Sequence, residues 1–236
     1  MPHLAIIDFE TTGLSPAMGD RATEVAIVLM DDNGRIVDRF QSLMNAGVRI
    51  NAFIESYTGI SNEMIADAPP ADEVMAAASR FVGEAPMVAH NASFDRRFWV
   101  AELERIGVCP HPNPLPEGEG EIRNAQAPFA CTMLLARRLY PEARRFALGA
   151  LQAFHDLPTA GRSHRAMADA EVAASLLARI QRDLERRYDV FDCSHALLVK
   201  VGKAKKTKVH DAIKAHFEGL RVAASPSSPA TLSLRA

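Results

Sequence analysis

Leu4-Ala-Ile-Ile7 is an unbroken apolar run that stops abruptly at Asp8 and the turn-like Glu10-Thr-Thr-Gly13. A run this short, flanked by acids and a glycine, reads as a buried strand and not as a helix. Residues 24–30 are again apolar and partly β-branched, and strand character resumes over 35–43 after Asp31-Asp-Asn-Gly34. An Asn-Gly pair between two such runs favours a tight hairpin turn, so these segments are expected to pair antiparallel. Pro69-Pro70 stops the next stretch, after which Val74, Ala77, Ala78 and Phe81 recur at helical spacing over 71–82. Met87-Val-Ala89 is a further short strand, followed by the polar turn His90-Asn-Ala-Ser93 and a helical pattern through Phe94, Phe98, Ala101 and Arg105.

Between 109 and 128 the pattern disappears. Pro110, Pro112, Pro114 and Pro116 precede Glu117-Gly-Glu-Gly-Glu121, a composition with almost nothing to bury, and this predicts a flexible surface insertion. Periodicity returns with a strand at Phe129-Ala-Cys131 and three helices: one through Leu134, Leu135 and Leu139, one through Leu148, Leu151 and Phe154, and one over 165–187. An early hairpin, strand-to-helix alternation and a helical second half predict an α/β fold, a mixed sheet flanked by helices. The main domain is placed at 1–188 and a C-terminal extension at 189–236. The extension holds a short apolar patch, then Lys200, Lys203, Lys205, Lys206 and Lys208, read as a solvated basic tail, and a Ser/Pro/Ala-rich end from 223 expected to be disordered.

Composition narrows the class. With 236 residues, 48% apolar and 24% charged, the chain has the balance of a globular protein with a sizeable core. The apolar start runs straight into Asp8, and no run approaches the roughly 20 residues a membrane span needs, so neither secretion nor membrane insertion is expected. Cys109, Cys131 and Cys193 are odd in number and lack C-x-x-C spacing, which fits a reducing, cytoplasmic setting. A net charge of -2 is unusual for a nucleic-acid-binding protein, an objection that weakens if several acids are metal ligands.

Asp8 and Glu10 are two apart at a strand end, so both carboxylates share one face while Phe9 points to the other. Hard divalent cations prefer oxygen ligands, and two crowded carboxylates are tolerated more easily with a cation between them. Alone, this pair is a weak signal and matches any solvated strand end. Asp95 falls in the first turn of a helix, where the helix dipole favours an anion. Asp169 borders the apolar stripe of Val172, Ala173, Leu176, Leu177 and Ile180, a costly place for an acid unless it is paired or bound to metal. His164 precedes Asp169 by five residues; five helical steps turn by about 140°, so His164 is placed on the preceding loop.

Together, Asp8-Phe-Glu-Thr-Thr-Gly13, His90-Asn-Ala-Ser-Phe-Asp95 and His164-Arg-Ala-Met-Ala-Asp169 resemble, in order and spacing, the three motifs of the DEDDh exonucleases, the superfamily of the bacterial DNA polymerase III epsilon proofreading subunit. Thr58-Gly-Ile-Ser61 and Cys131-Thr-Met-Leu-Leu-Ala-Arg137 add to the likeness. The superfamily's tyrosine branch has Tyr where this chain has Arg165, so the histidine branch is indicated. The resemblance implies an RNase H-like fold with a five-stranded mixed sheet and two divalent cations, Mg²⁺ or Mn²⁺, on Asp8, Glu10, Asp95 and Asp169. It implies His164 as general base, the backbone at Thr11 and Thr12 meeting the terminal 3′-hydroxyl, and Leu14 against the last base. The reaction would release nucleoside 5′-monophosphates from single-stranded 3′ ends of DNA. An RNA or oligonucleotide exonuclease, or an inactive nucleic-acid-binding or polymerase-tethering module, would use the same fold. Because epsilon subunits hold a DNA polymerase through their C-terminal tails, the extension is a candidate for that contact. His90 and Asn91 are expected to shape the second motif without binding metal.

Overall fold

The computed structural model describes residues 4–107, 127–158 and 164–224. Residues 109–126 of the expected insertion and 225–236 of the Ser/Pro-rich end lie outside them. In chain order the elements are β1 (Leu4–Thr11), β2 (Ala22–Met30), β3 (Ile36–Leu43), α1 (Ala52–Thr58), α2 (Asn62–Ala66), α3 (Ala71–Val82), β4 (Met87–Ala89), α4 (Ser93–Arg105), β5 (Ala130–Cys131), α5 (Thr132–Leu139), α6 (Leu148–His155), α7 (Ala166–Tyr188), α8 (His195–Lys203) and α9 (Val209–Ala224). The sheet order is β3-β2-β1-β4-β5, with β2 antiparallel to both of its neighbours, β1 and β3, and with β4 and β5 running parallel to β1.

The hairpin forms where the Asn-Gly pair predicts it. Gly34 sits at φ +76° and donates its N–H to the Asp31 carbonyl (3.0 Å), while the Asp31 carboxylate accepts the N–H groups of Asn33 (2.9 Å) and Arg35 (2.8 Å). The unbroken apolar run of β1 is explained by helices on both faces of the sheet. Ile6, with Val28 and Met30, packs toward α5 and α7, whereas Ile7 and Phe9, with Val25 and Ile27, pack toward Val74 and Met75 of α3 and Phe98 and Trp99 of α4. Both layers converge on the C-terminal end of β1.

Two short helices between β3 and α3 have no clear signature in the hydrophobic pattern. Their ends are fixed by caps: the Asn51 side chain accepts from Ile54 N–H, Ser61 from Met64 N–H, and Gly59, at φ +73°, closes α1. Ile50, Ile60 and Ile65 make a satellite core beneath them.

The solvated basic tail needs correction. Lys200, Lys203, Lys205, Lys206 and Lys208 are indeed exposed, but the segment that carries them is helical and docked. Leu197, Leu198, Val201, Val209 and Ile213 are buried in the same cluster as Ile6, Val28 and Leu177, and α8 packs on α5 and β5. The apolar positions recur every three or four residues among the lysines, so net basicity masked an amphipathic pair of helices. Among the described residues no helix is long and apolar enough to cross a membrane.

Candidate metal centre and cleft

The sequence-selected acids arrive from three elements. Asp8 and Glu10 alternate with Phe9 along β1; Phe9 enters the α3–α4 core, which turns the two carboxylates to the α7 side. Asp169 lies in the first turn of α7 and completes the group, with one carboxylate oxygen of each residue within 4.8 Å of the others. Asp95 comes from the first turn of α4, on the opposite core. It is 2% exposed, and its Oδ1 accepts the Phe9 N–H at 3.2 Å, so it clamps the strand end from behind and is not part of the close group of three.

His164 precedes α7, as its five-residue offset from Asp169 requires. Its backbone is left-handed (φ +62°), its N–H donates to Asp169 Oδ2 (3.3 Å), and its Nδ1 stands 4.0 Å from the same oxygen. The four acids and His164 line one cleft of about 230 Å³.

Burial dominates the electrostatics. Asp8 is pushed well above the usual carboxylate range by desolvation, then by Asp95, Glu10 and Asp169. Glu10 is raised to about 8 by burial and then by Asp169 and Glu24; Asp95 is raised to about 8 by burial, against the N–H groups that favour its charge. Asp169 is also raised by burial, with His164 opposing. Carboxylates that resist ionising because they are buried and crowded are what a cation relieves, and an all-oxygen donor set suits a hard divalent ion. The residues therefore fit the metal that the sequence implied.

A further acid lies beside them. Glu24 is fully buried on β2, directly opposite Glu10 in the strand register. It is spent on Arg165 (Nε at 3.1 Å, a terminal nitrogen at 2.8 Å), Gln41 Nε2 (2.8 Å) and the Ala166 N–H (3.1 Å). Burial pushes its carboxyl up, but these hydrogen bonds outweigh it and hold the group below its ordinary value. Sequence reasoning passed over Glu24; the available signal was an acid inside an otherwise apolar strand, which demands a partner.

Of the expected substrate contacts, Thr11 and Leu14 line the cleft, and Thr12 is not among its lining residues. The Thr12 N–H donates to the Arg21 carbonyl (2.9 Å) and its hydroxyl accepts the Arg21 N–H (3.0 Å), so its polar groups hold the loop together. The Arg21 guanidinium is in turn clamped by the buried Glu102 (2.8 Å). Leu14 is 76% exposed, an apolar side chain presented at the lip. His90 is lowered to about 4 by burial; its neutral ring spans Thr132 Oγ1 (2.9 Å) and the Phe146 carbonyl (3.0 Å), forming a wall of the cleft. Tyr57, which the sequence reading did not select, enters the cleft from α1.

Acids gathered at the end of the central strand of a 3-2-1-4-5 sheet, under a long helix that supplies the last of them, are the arrangement of an RNase H-like fold with an all-oxygen donor set suited to divalent cations. The sequence profile of the exonuclease family (RNase_T) matches residues 5–177, and the chain belongs to that family. It is 34% identical over 188 residues to the PolC-type DNA polymerase III of Bacillus cereus, covering 79% of this chain and 12% of that protein. It is 35% identical over 188 residues to the 3′-5′ exonuclease DinG of Bacillus subtilis, covering 78% of this chain and 18% of that one. The chain thus spans less than a fifth of the length of these curated relatives. Among solved structures it is similar to exonuclease X in complex with 5′ overhanging duplex DNA, at 31% identity and TM-score 0.56, covering 80% of this chain and 99% of that one.

Proposed function

We propose that this chain hydrolyses the terminal phosphodiester at single-stranded 3′ ends of DNA and releases nucleoside 5′-monophosphates. The observation that carries the reading is the convergence of Asp8, Glu10 and Asp169 to within 4.8 Å beside a half-exposed histidine. Asp8, Glu10 and Asp169 would hold two divalent cations, Mg²⁺ or Mn²⁺, with Asp95 in support; when bound, these supply positive charge to the phosphate oxygens undergoing displacement.

The chain's own residues do the rest. His164, on a turn at the open side of the cleft, accepts a proton from the attacking water as its oxygen bonds to phosphorus. The bond from phosphorus to the 3′ oxygen of the preceding nucleotide breaks, and that oxygen keeps the electron pair and is protonated from solvent. The backbone at Thr11 faces the terminal sugar, and Leu14 packs against the last base. Thr12 serves by fixing the loop that carries both. The exonuclease X complex with an overhanging DNA end and the polymerase relatives favour DNA. A polymerase partner would meet the lysine-bearing face of the C-terminal extension, in a cytoplasmic setting where the free thiols of Cys131 and Cys193 stay reduced.

Matched single-stranded DNA and RNA oligonucleotides, labelled at the 5′ end and incubated with Mg²⁺ or Mn²⁺, test the reading, with released nucleotides separated by chromatography. A ladder shortening from the 3′ end with mononucleotide product is expected, faster on DNA. Faster RNA digestion would reassign the substrate, and absence of mononucleotides with either cation would refute the activity.

A further inference from the structure

Helix α1 places Phe53 and Tyr57 one turn apart, both exposed, and their rings stack at 6.0 Å between centroids and 11° between planes. The stack continues beyond the helix, since the Tyr57 ring lies 3.9 Å from the His164 ring at 29°. Asn51 and Gly59 fix both ends of α1, the Thr58 hydroxyl donates to the Ile54 carbonyl (2.9 Å), and Ile54 packs on the satellite core. A helix of only seven residues is thereby held rigidly enough to present a ring at a set place.

His164 needs such support. Its left-handed backbone is strained in a non-glycine residue and persists only where its surroundings over-determine it. Asp169 fixes the backbone through the His164 N–H, but among the described residues no hydrogen bond holds the imidazole, whose Nδ1 stays 4.0 Å from Asp169. The face-on contact with Tyr57 is what sets the plane of the ring.

We propose that Tyr57 is a positioning residue for His164: its aromatic face, backed by Phe53, orients the imidazole for accepting the proton of the attacking water. This rests on the reading of His164 as the general base. The ring, and not the phenol, does the orienting, so phenylalanine should serve as well as tyrosine.

The test uses the full chain with Mn²⁺ and the variants Tyr57→Phe and Tyr57→Leu. Tyr57→Leu should lower kcat on the order of 10- to 100-fold, the scale of an ångström-level misplacement of a catalytic group, with KM little changed. Tyr57→Phe should keep the parent kcat. The same loss should appear on an oligonucleotide ending in an abasic nucleotide. A loss confined to KM and absent on the abasic end would overturn the proposal and make Tyr57 a base-stacking residue instead. A loss in Tyr57→Phe equal to that in Tyr57→Leu would place the effect on the hydroxyl and overturn it too. A second measurement needs no turnover: the His164 ring protons, assigned by their disappearance in His164→Ala, should be shielded in the parent and in Tyr57→Phe and move downfield in Tyr57→Leu. Unchanged His164 resonances in Tyr57→Leu would overturn the contact itself. A parent protein that releases no nucleotide refutes the exonuclease reading before any variant is compared.

Discussion

Asp8, Glu10 and Asp169 cost the cation-free protein stability, because burial raises all three, with only partial relief from Arg165 at Glu10 and from His164 at Asp169. Asp8→Asn, Glu10→Gln and Asp169→Asn should each abolish most nucleotide release. In the absence of metal at alkaline pH each should also melt higher by at least about 2 °C, the shift that roughly 1 kcal/mol gives in a chain of this size. Oligonucleotide digestion and calorimetric scans in chelator check both halves; a variant that digests at the parent rate would remove its residue from the site. The sign of the pH effect follows from Glu10, raised from 4.5 to about 8. Its contribution is fully present below its unfolded value and is lost as pH rises through about 8, so the chelated protein should melt progressively lower between about pH 5 and pH 9. Mg²⁺ or Mn²⁺ should remove that slope. Glu24 behaves oppositely, since it is already ionised and paired: Arg165→Met should cost about 3 kcal/mol by stranding a buried charge, and adding Glu24→Gln should restore most of it. Urea unfolding of the two single variants and the double variant measures the coupling. The motif acids were legible in the sequence because local spacing places them on strand or helix faces. Glu24 and Tyr57 were not, because their partners Arg165 and His164 stand more than a hundred positions away and only the folded sheet brings them together.

Among the elements, those with a sustained period were legible and those defined by their ends were not. The strands of the hairpin and α7 announce themselves because each buries a continuous apolar face. By contrast, α1 and α2 are seven and five residues long, too short for a helical period to register, and exist because of Asn51, Gly59 and Ser61. The turn after β1 is another element built by its ends. Gly13 passes so close to the Asp20 side chain that an added Cβ would collide with its carboxylate, and Asp20 Oδ2 accepts the Ser15 N–H at 2.9 Å. Gly13→Ala should therefore push Asp20 off Ser15 and move Leu14 while leaving the three-carboxylate group intact. KM for a DNA oligonucleotide should rise several-fold, with kcat at saturation falling less. An unchanged KM would show that the turn does not touch substrate.

Over the whole molecule, the acids of the cleft need both cores: Asp95 comes with the α3–α4 layer, Asp169 with the layer that α8 and α9 help to close. Leu197, Leu198 and Val201 are fully buried, and burying side chains of this kind contributes about 1.5–3 kcal/mol each, together comparable with the net stability of a domain, about 5–15 kcal/mol. A chain cut after Asp192 should consequently lose cooperative unfolding and nucleotide release together, which circular dichroism melts and the digestion assay would show; a cut chain that melts like the parent would make α8 and α9 dispensable. The same packing sets an order in time. All five residues of the proposed catalytic set are synthesised before the helices that seal their supporting layer. At roughly 5–20 residues per second, a nascent chain spends seconds with every chemical group present and no assembled site to hold them. A ribosome-bound chain halted just after α7 would be complete in its motifs and silent toward nucleic acid, so that the proposed activity would arise only once translation has passed α9.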